Sequence, residues 1–163
     1  MDSRLQRTAC LGHSWVMTLH MTKLCVGADD IDDLARYQAR MLAFRKAHGM
    51  KPRVEHTTFQ APKRQEELLD GGSLYWVIKG VVQVRQRLIG FDSGHKEDGS
   101  ACCLLLLDEA LVAVRPVKRR PFQGWRYLKP EDAPPDLGSR AEAKAMAAMT
   151  PKMRKDLADL GLL

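Results

Sequence analysis

The residues able to do chemistry in this chain are cationic and aromatic, and most crowd into its middle. Lys63 and Arg64 follow Pro62. Tyr75, Lys79, Arg85 and Arg87 recur at even spacing through residues 74–88, so on one strand they would share a face. Arg115, Lys118, Arg119 and Arg120 form a basic run, and Trp125, Arg126, Tyr127 and Lys129 follow it. From Lys79 to Lys129 ten Lys/Arg stand against five Asp/Glu, so this segment supplies +5 of the chain's formal charge of +6. Cations neutralise phosphates and aromatic planes stack on bases, so such a mixture is what binding RNA or single-stranded DNA requires. The competing explanation is a solvated basic face, with Trp76 and Trp125 as ordinary core residues.

Other chemistries leave little trace. There is no G-x-S-x-G elbow, and His13, His20, His48, His56 and His95 adjoin no serine or cysteine motif. No two histidines have i, i+4 spacing, HExxH is absent, and the loop 92–99 lacks the EF-hand ligand series. Asp29, Asp30, Asp32 and Asp33 read as the acidic start of a helix rather than a cation site. Gly71-Gly72-Ser73 precedes a strand, so it reads as a helix stop and turn rather than a phosphate cradle. No catalytic residue, metal ligand or cofactor site is predicted.

Elements must position these residues. A chain of 163 residues favours one domain and can bury roughly 70% of its unfolded surface. With 45% hydrophobic and 28% charged residues it has the composition of a soluble globular protein. Cys10, Cys25, Cys102 and Cys103 form no CxxC pair and read as reduced thiols in a cytoplasmic protein. No apolar run approaches the roughly 20 residues of a membrane helix. Residues 1–16 lack a continuous apolar h-region and read as a disordered extension; 17–137 read as one domain, and 138–163 as a helical segment.

Alternation predicts strands over 18–26, 53–59, 101–107, 111–115 (stopped by Pro116) and 122–128. A helix is predicted over 29–48, with Ile31, Leu34, Ala35, Gln38, Met41 and Leu42 as its buried stripe, and a short one over 62–69. Two C-terminal helices open at Ser139 and at Thr150-Pro151, the second with Met153, Leu157 and Leu160 as its apolar face. Residues 74–88 are read by parity. Their even positions, including Leu74, Trp76, Ile78, Val82, Val84 and Leu88, form a core face. A hairpin turn at Lys79-Gly80 would set Leu74 against Arg85 and Trp76 against Gln83. Parity therefore predicts one through-going strand bent at Gly80. The expected fold is α+β, a strongly curved, mostly antiparallel sheet or small β-barrel flanked by helices.

The stretches MTLHMTKLCVGADDIDDL, PKRQEELLDGGSLYWVIKGVVQVRQRLIGF and RRPFQGWRYLKPEDAPPDL resemble a bacterial family known as domain of unknown function 1489, over about residues 17–137. The resemblance implies a small cytosolic alphaproteobacterial protein and brings no activity or catalytic residue. The architecture is also similar to PUA-like domains and their ASCH relatives, small barrels that often bind RNA or modified nucleotides; this is fold-level analogy.

The expected function is binding of RNA or single-stranded DNA by a non-enzymatic domain. Arg85, Arg87, Arg119, Arg120 and Arg126 would hold phosphates, Tyr75, Trp125 and Tyr127 would stack, and Lys63, Arg64 and Lys79 would extend the surface. One alternative is a small-molecule enzyme acting on a nucleotide-like or phosphorylated ligand, with Lys63, Lys79 and Arg87 lining a closed pocket beside Gln86 or Tyr75. A deep pocket holding a buried lysine or carboxylate would favour it. Another is a protein-interaction module docking through the C-terminal helix.

Overall fold

The computed structural model describes residues 18–137 and 149–161. The predicted extension at 1–16 and the predicted helix opening at Ser139 lie outside the described residues. The elements in chain order are β1 (His20–Leu24), α1 (Ile31–Ala47), β2 (Val54–Thr58), α2 (Gln65–Leu69), β3 (Ser73–Ile78), β4 (Val81–His95), β5 (Ala101–Leu107), β6 (Val112–Lys118), β7 (Trp125–Leu128), a 3-10 turn (Pro130–Asp132) and α3 (Pro151–Asp159).

The helix α1 starts where its sequence says it should. The Asp30 carboxylate accepts from the Asp33 amide at 2.8 Å, Asp32 and Asp33 occupy the first turn, and Arg45 and Lys46 the last. Each sign of charge therefore meets the opposite end of the helix dipole. Leu34 and Gln38 are buried, and Ile31 and Leu42 pack beside them on the core.

The seven strands form one mixed sheet in the order β2-β5-β4-β3-β1-β7, with β6 added to β4. The β1–β3 pair is parallel and the other ladders are antiparallel. The ladder is open: β2 and β7 end it and do not pair with each other, so the predicted barrel is not closed. One face carries the larger core, which includes Met21, Leu34, Leu68, Trp76, Val84, Leu88, Leu105 and Leu107. The other carries Tyr75, Val77, Val82, Val114 and Leu128. Every residue of β3 is buried because both its faces are covered.

The through-going strand is overturned. Lys79 and Gly80 both have positive φ, 52° and 78°, and Ile78 pairs with Val81 across them. This is the two-residue hairpin whose turn matches strand twist. The parity objection fails because of a bulge. Val77 pairs with Val82 and Trp76 with Val84, which leaves Gln83 without a partner on β3. A two-residue turn reverses parity and a one-residue bulge reverses it again. Leu74 therefore faces Gln86 rather than Arg85, and Trp76 faces Val84 rather than Gln83.

Two further expectations are corrected. Pro116 does not stop β6, which runs on to Lys118. It lies where the β4–β6 register shifts, between the pairs Val84–Ala113 and Val82–Val117, a place where a missing amide is tolerated. In α3, Met153 and Leu160 are exposed, and the buried side chain is Arg154, which donates to Gln83 Oε1 at 2.9 Å. The cap is as predicted: Thr150 accepts from the Met153 amide, with proline in the first turn.

Gly72 fixes how the chain leaves α2. A Cβ there would lie 2.2 Å from the backbone oxygens of both Leu19 and Leu68, so only glycine fits between β1 and α2. Cys25, Cys102 and Cys103 are free thiols. No helix among the described residues is long and apolar enough to cross a membrane.

Candidate nucleic-acid interface

The predicted cations separate into two groups. Arg85 is held by Asp136 through two hydrogen bonds of 2.6 and 2.7 Å and also donates to Ser73 Oγ at 3.1 Å. The Arg85 guanidinium holds the Asp136 carboxyl below its usual range. Arg87 is exposed opposite Ser73. Lys79, at the hairpin turn, pairs with Asp29 at 2.8 Å. Arg119 donates its amide to Gly80 O at 2.8 Å, and Arg120 beside it is exposed. Tyr75 is 4% exposed, with His20 edge-on against its ring; no open face remains for stacking.

The second group gathers at β7. Trp125 and Tyr127 meet edge to face at 4.8 Å between centroids. The Trp125 indole N–H donates to Gln60 O at 2.9 Å, and Tyr127 Oη accepts from the amides of Lys63 and Arg64 at 3.1 and 3.2 Å. The two rings thus fasten residues 60–64 across the open end of the sheet. The Arg64 guanidinium lies 5.6 Å from the Tyr127 centroid and pairs with Glu67. Arg126 lies over Phe122 and donates to the carbonyls of Gln123 and Trp125. Arg126, Thr22, Tyr75 and Arg85 stand in register on one face of β7, β1, β3 and β4, with three ladder steps, roughly 14 Å, between the two arginines. Of the residues expected to line a closed pocket, Gln86 and Tyr75 are buried, and Lys63, Lys79 and Arg87 are exposed.

Sequence reasoning missed the cleft that this fastening creates. It has a volume of about 510 Å³ and lies between β2 on one side and β1 and β7 on the other. Lys23, Thr57, Thr58, Phe59, Gln60, Lys96, Gln123, Gly124, Trp125 and Arg126 line it. Two cations, Lys23 and Lys96, and two aromatic rings therefore share a wall to which no carboxylate contributes among the described residues. Arg126 borders it, but its register partner is Thr22 and its guanidinium lies over Phe122, on the opposite face of β7 from Trp125. Lys96 lies over the Phe59 ring, a cation–π arrangement that leaves the ammonium N–H groups free for an anion.

Lys23 is the unusual member. It sits on β1 between Trp76 of β3 and Trp125 of β7 in register, on the same side as the buried Met21. Burial alone lowers its pKa; no carboxylate pulls the other way. His56 on β2 stands against Trp76, edge on, at 5.0 Å. Burial first, and the Lys23 charge second, push its pKa down to about 4, so it is neutral at pH 7. One signal in the sequence could have found Lys23: it is a charge at an inward-facing position of an apolar strand.

His56 lines a second cavity of about 330 Å³ between α1 and the sheet, together with Cys25, Trp76, Tyr37 and Arg40. Burial pushes the Cys25 thiol up to about 11. A protonated thiol beside a neutral imidazole is not an activated nucleophile.

The family model described as protein of unknown function (DUF1489) matches residues 21–163, and the chain belongs to that family. No curated protein and no solved structure matches it.

Proposed function

We propose that this member of the family binds single-stranded nucleic acid, RNA or DNA, in the cleft between β2 and the β1–β7 pair. The observation that carries this reading is the lining: Lys23 and Lys96 with Phe59 and Trp125, Arg126 at the border, and no carboxylate among the described residues. Cations along a groove neutralise successive phosphates, and an aromatic wall accepts any base by its face. Lys63 and Arg64, fastened beside Trp125 through Tyr127, extend the basic rim. Arg85 supports it less, because Asp136 already occupies its guanidinium. Kinship with PUA-like domains is part of the same reading and is supported by the β-α opening that leads into a sheet.

The test is fluorescence anisotropy with a labelled single-stranded RNA and a DNA of the same sequence. Affinity should fall roughly tenfold or more between about 50 and 200 mM salt, the dependence expected of about three single-strand phosphate contacts. The Lys96→Glu/Arg126→Glu double variant should abolish binding while keeping its melting temperature. Absence of salt-sensitive binding by the wild-type protein overturns the reading.

A further inference from the structure

Lys23 differs from the other cations at the cleft. Arg126 is exposed and Lys96 lies over the Phe59 ring, whereas Lys23 is half-buried with an indole on either side in register. Among the described residues no carboxylate lines the cleft, and none perturbs the Lys23 amine. An ammonium drawn out of water without a counter-charge is unfavourable by itself. An anion delivered from outside converts that cost into affinity.

We propose that the part of the cleft at Lys23 is a subsite for a phosphate monoester, carried by the terminus of a nucleic-acid strand or by a nucleotide-sized ligand; it rests on the cleft being the binding site proposed above. Two observations point to a monoester rather than an internal phosphodiester. A monoester carries about −1.5 to −2 charge at pH 7 and three acceptor oxygens, against a single charge on a diester, and a half-buried Lys23 with three donors and no carboxylate beside it favours the more highly charged group. In addition, Trp125 neighbours Lys23 on the adjacent strand. A base attached to the bound phosphate therefore has an aromatic surface within reach, and about 510 Å³ falls in the range that holds a small ligand.

The experiment compares ligand pairs on the wild-type protein. One pair is the same single-stranded oligonucleotide with a terminal phosphate, 5′ or 3′, and with hydroxyl ends. The other is a nucleoside monophosphate and its nucleoside, with inorganic phosphate measured alone. The phosphorylated member should bind roughly tenfold tighter or more, the scale of one charge-assisted hydrogen bond. In Lys23→Met the ratio of the two affinities should fall to about one. This substitution keeps the side-chain length and removes an unpaired, half-buried charge, and a thermal melt checks its fold. The wild-type comparison stands without it.

Equal affinity for phosphorylated and hydroxyl ligands, or a preference that survives in Lys23→Met, overturns the subsite while the nucleic-acid reading stands. Lys23-dependent binding of the monophosphate without binding of either oligonucleotide supports the subsite and overturns the nucleic-acid reading. Binding of none of these ligands overturns both.

Discussion

Gln86 is fully buried, and every hydrogen-bonding role of its amide is filled. Its oxygen accepts from Gln38 Nε2 and Trp76 Nε1, each at 2.8 Å. Its nitrogen donates to Gln38 Oε1 at 2.8 Å and to Asp108 O at 2.9 Å. One side chain thus ties α1, β3 and the turn after β5 together, and it orients Trp76 beside the cleft. Gln86→Leu would strand the Gln38 amide and the indole N–H inside the core. The expected loss is about 3 kcal/mol in a urea unfolding titration. Parity placed Gln86 on the core face and helical spacing placed Gln38 in a buried stripe, so both positions were legible. Their pairing was not, because it joins elements 48 residues apart.

His56 gives the same face a pH signature. Its folded pKa is about 4, against 6.5 when unfolded, so below pH 6.5 the unfolded chain binds the additional proton. Stability from this group is present above about pH 6.5. It declines as pH falls toward 4, with a slope of at most about 1.4 kcal/mol per pH unit. Denaturation of His56→Phe followed across that window should show a shallower decline than the wild type. Identical profiles would place the lost stability on other groups.

At the scale of elements, the β3–β4 hairpin explains where pattern reading succeeds and fails. The turn and the bulge each reverse parity, so together they reproduce the alternation of an unbroken strand. Faces were therefore assigned correctly for Leu74, Trp76, Val84 and Leu88, while the connectivity was not. Lys-Gly also hid the turn, since lysine with positive φ is uncommon. Lys79→Asn should raise stability by about 0.5–1 kcal/mol, because asparagine tolerates this conformation better and Asn-Gly is the favoured pair. The exposed ion pair with Asp29 that it removes contributes little. A higher melting temperature checks this; a lower one would mean that the ion pair matters more than the turn. The same physics accounts for α3. Its spacing showed a stripe of Met153, Leu157 and Leu160, but the docking residue is Arg154, which reaches the bulged Gln83. A bulge left no periodic signal for a helix partner to match.

For the molecule as a whole, the sheet stays open, and the cleft lies at the opening. Composition indicated a basic protein with aromatic residues, and that much holds. It could not show that Arg85 is neutralised by Asp136, that Tyr75 is enclosed, or that Lys23, Phe59 and Lys96 come together from three separate parts of the chain. Such assembly is set by the ladder order, which puts β1 and β7 opposite β2 although long stretches of chain separate them.

Photocrosslinking with mass-spectrometric mapping tests the central claim most directly. A single-stranded RNA carrying photoreactive bases is irradiated on the wild-type protein at saturating concentration, and the joined residues are identified. Crosslinks are expected at Phe59, Trp125 and neighbouring positions of the cleft wall, and they should disappear when unlabelled RNA competes. Crosslinks concentrated instead at 85–87 or 118–120, or none at saturation, would contradict the cleft as the binding surface.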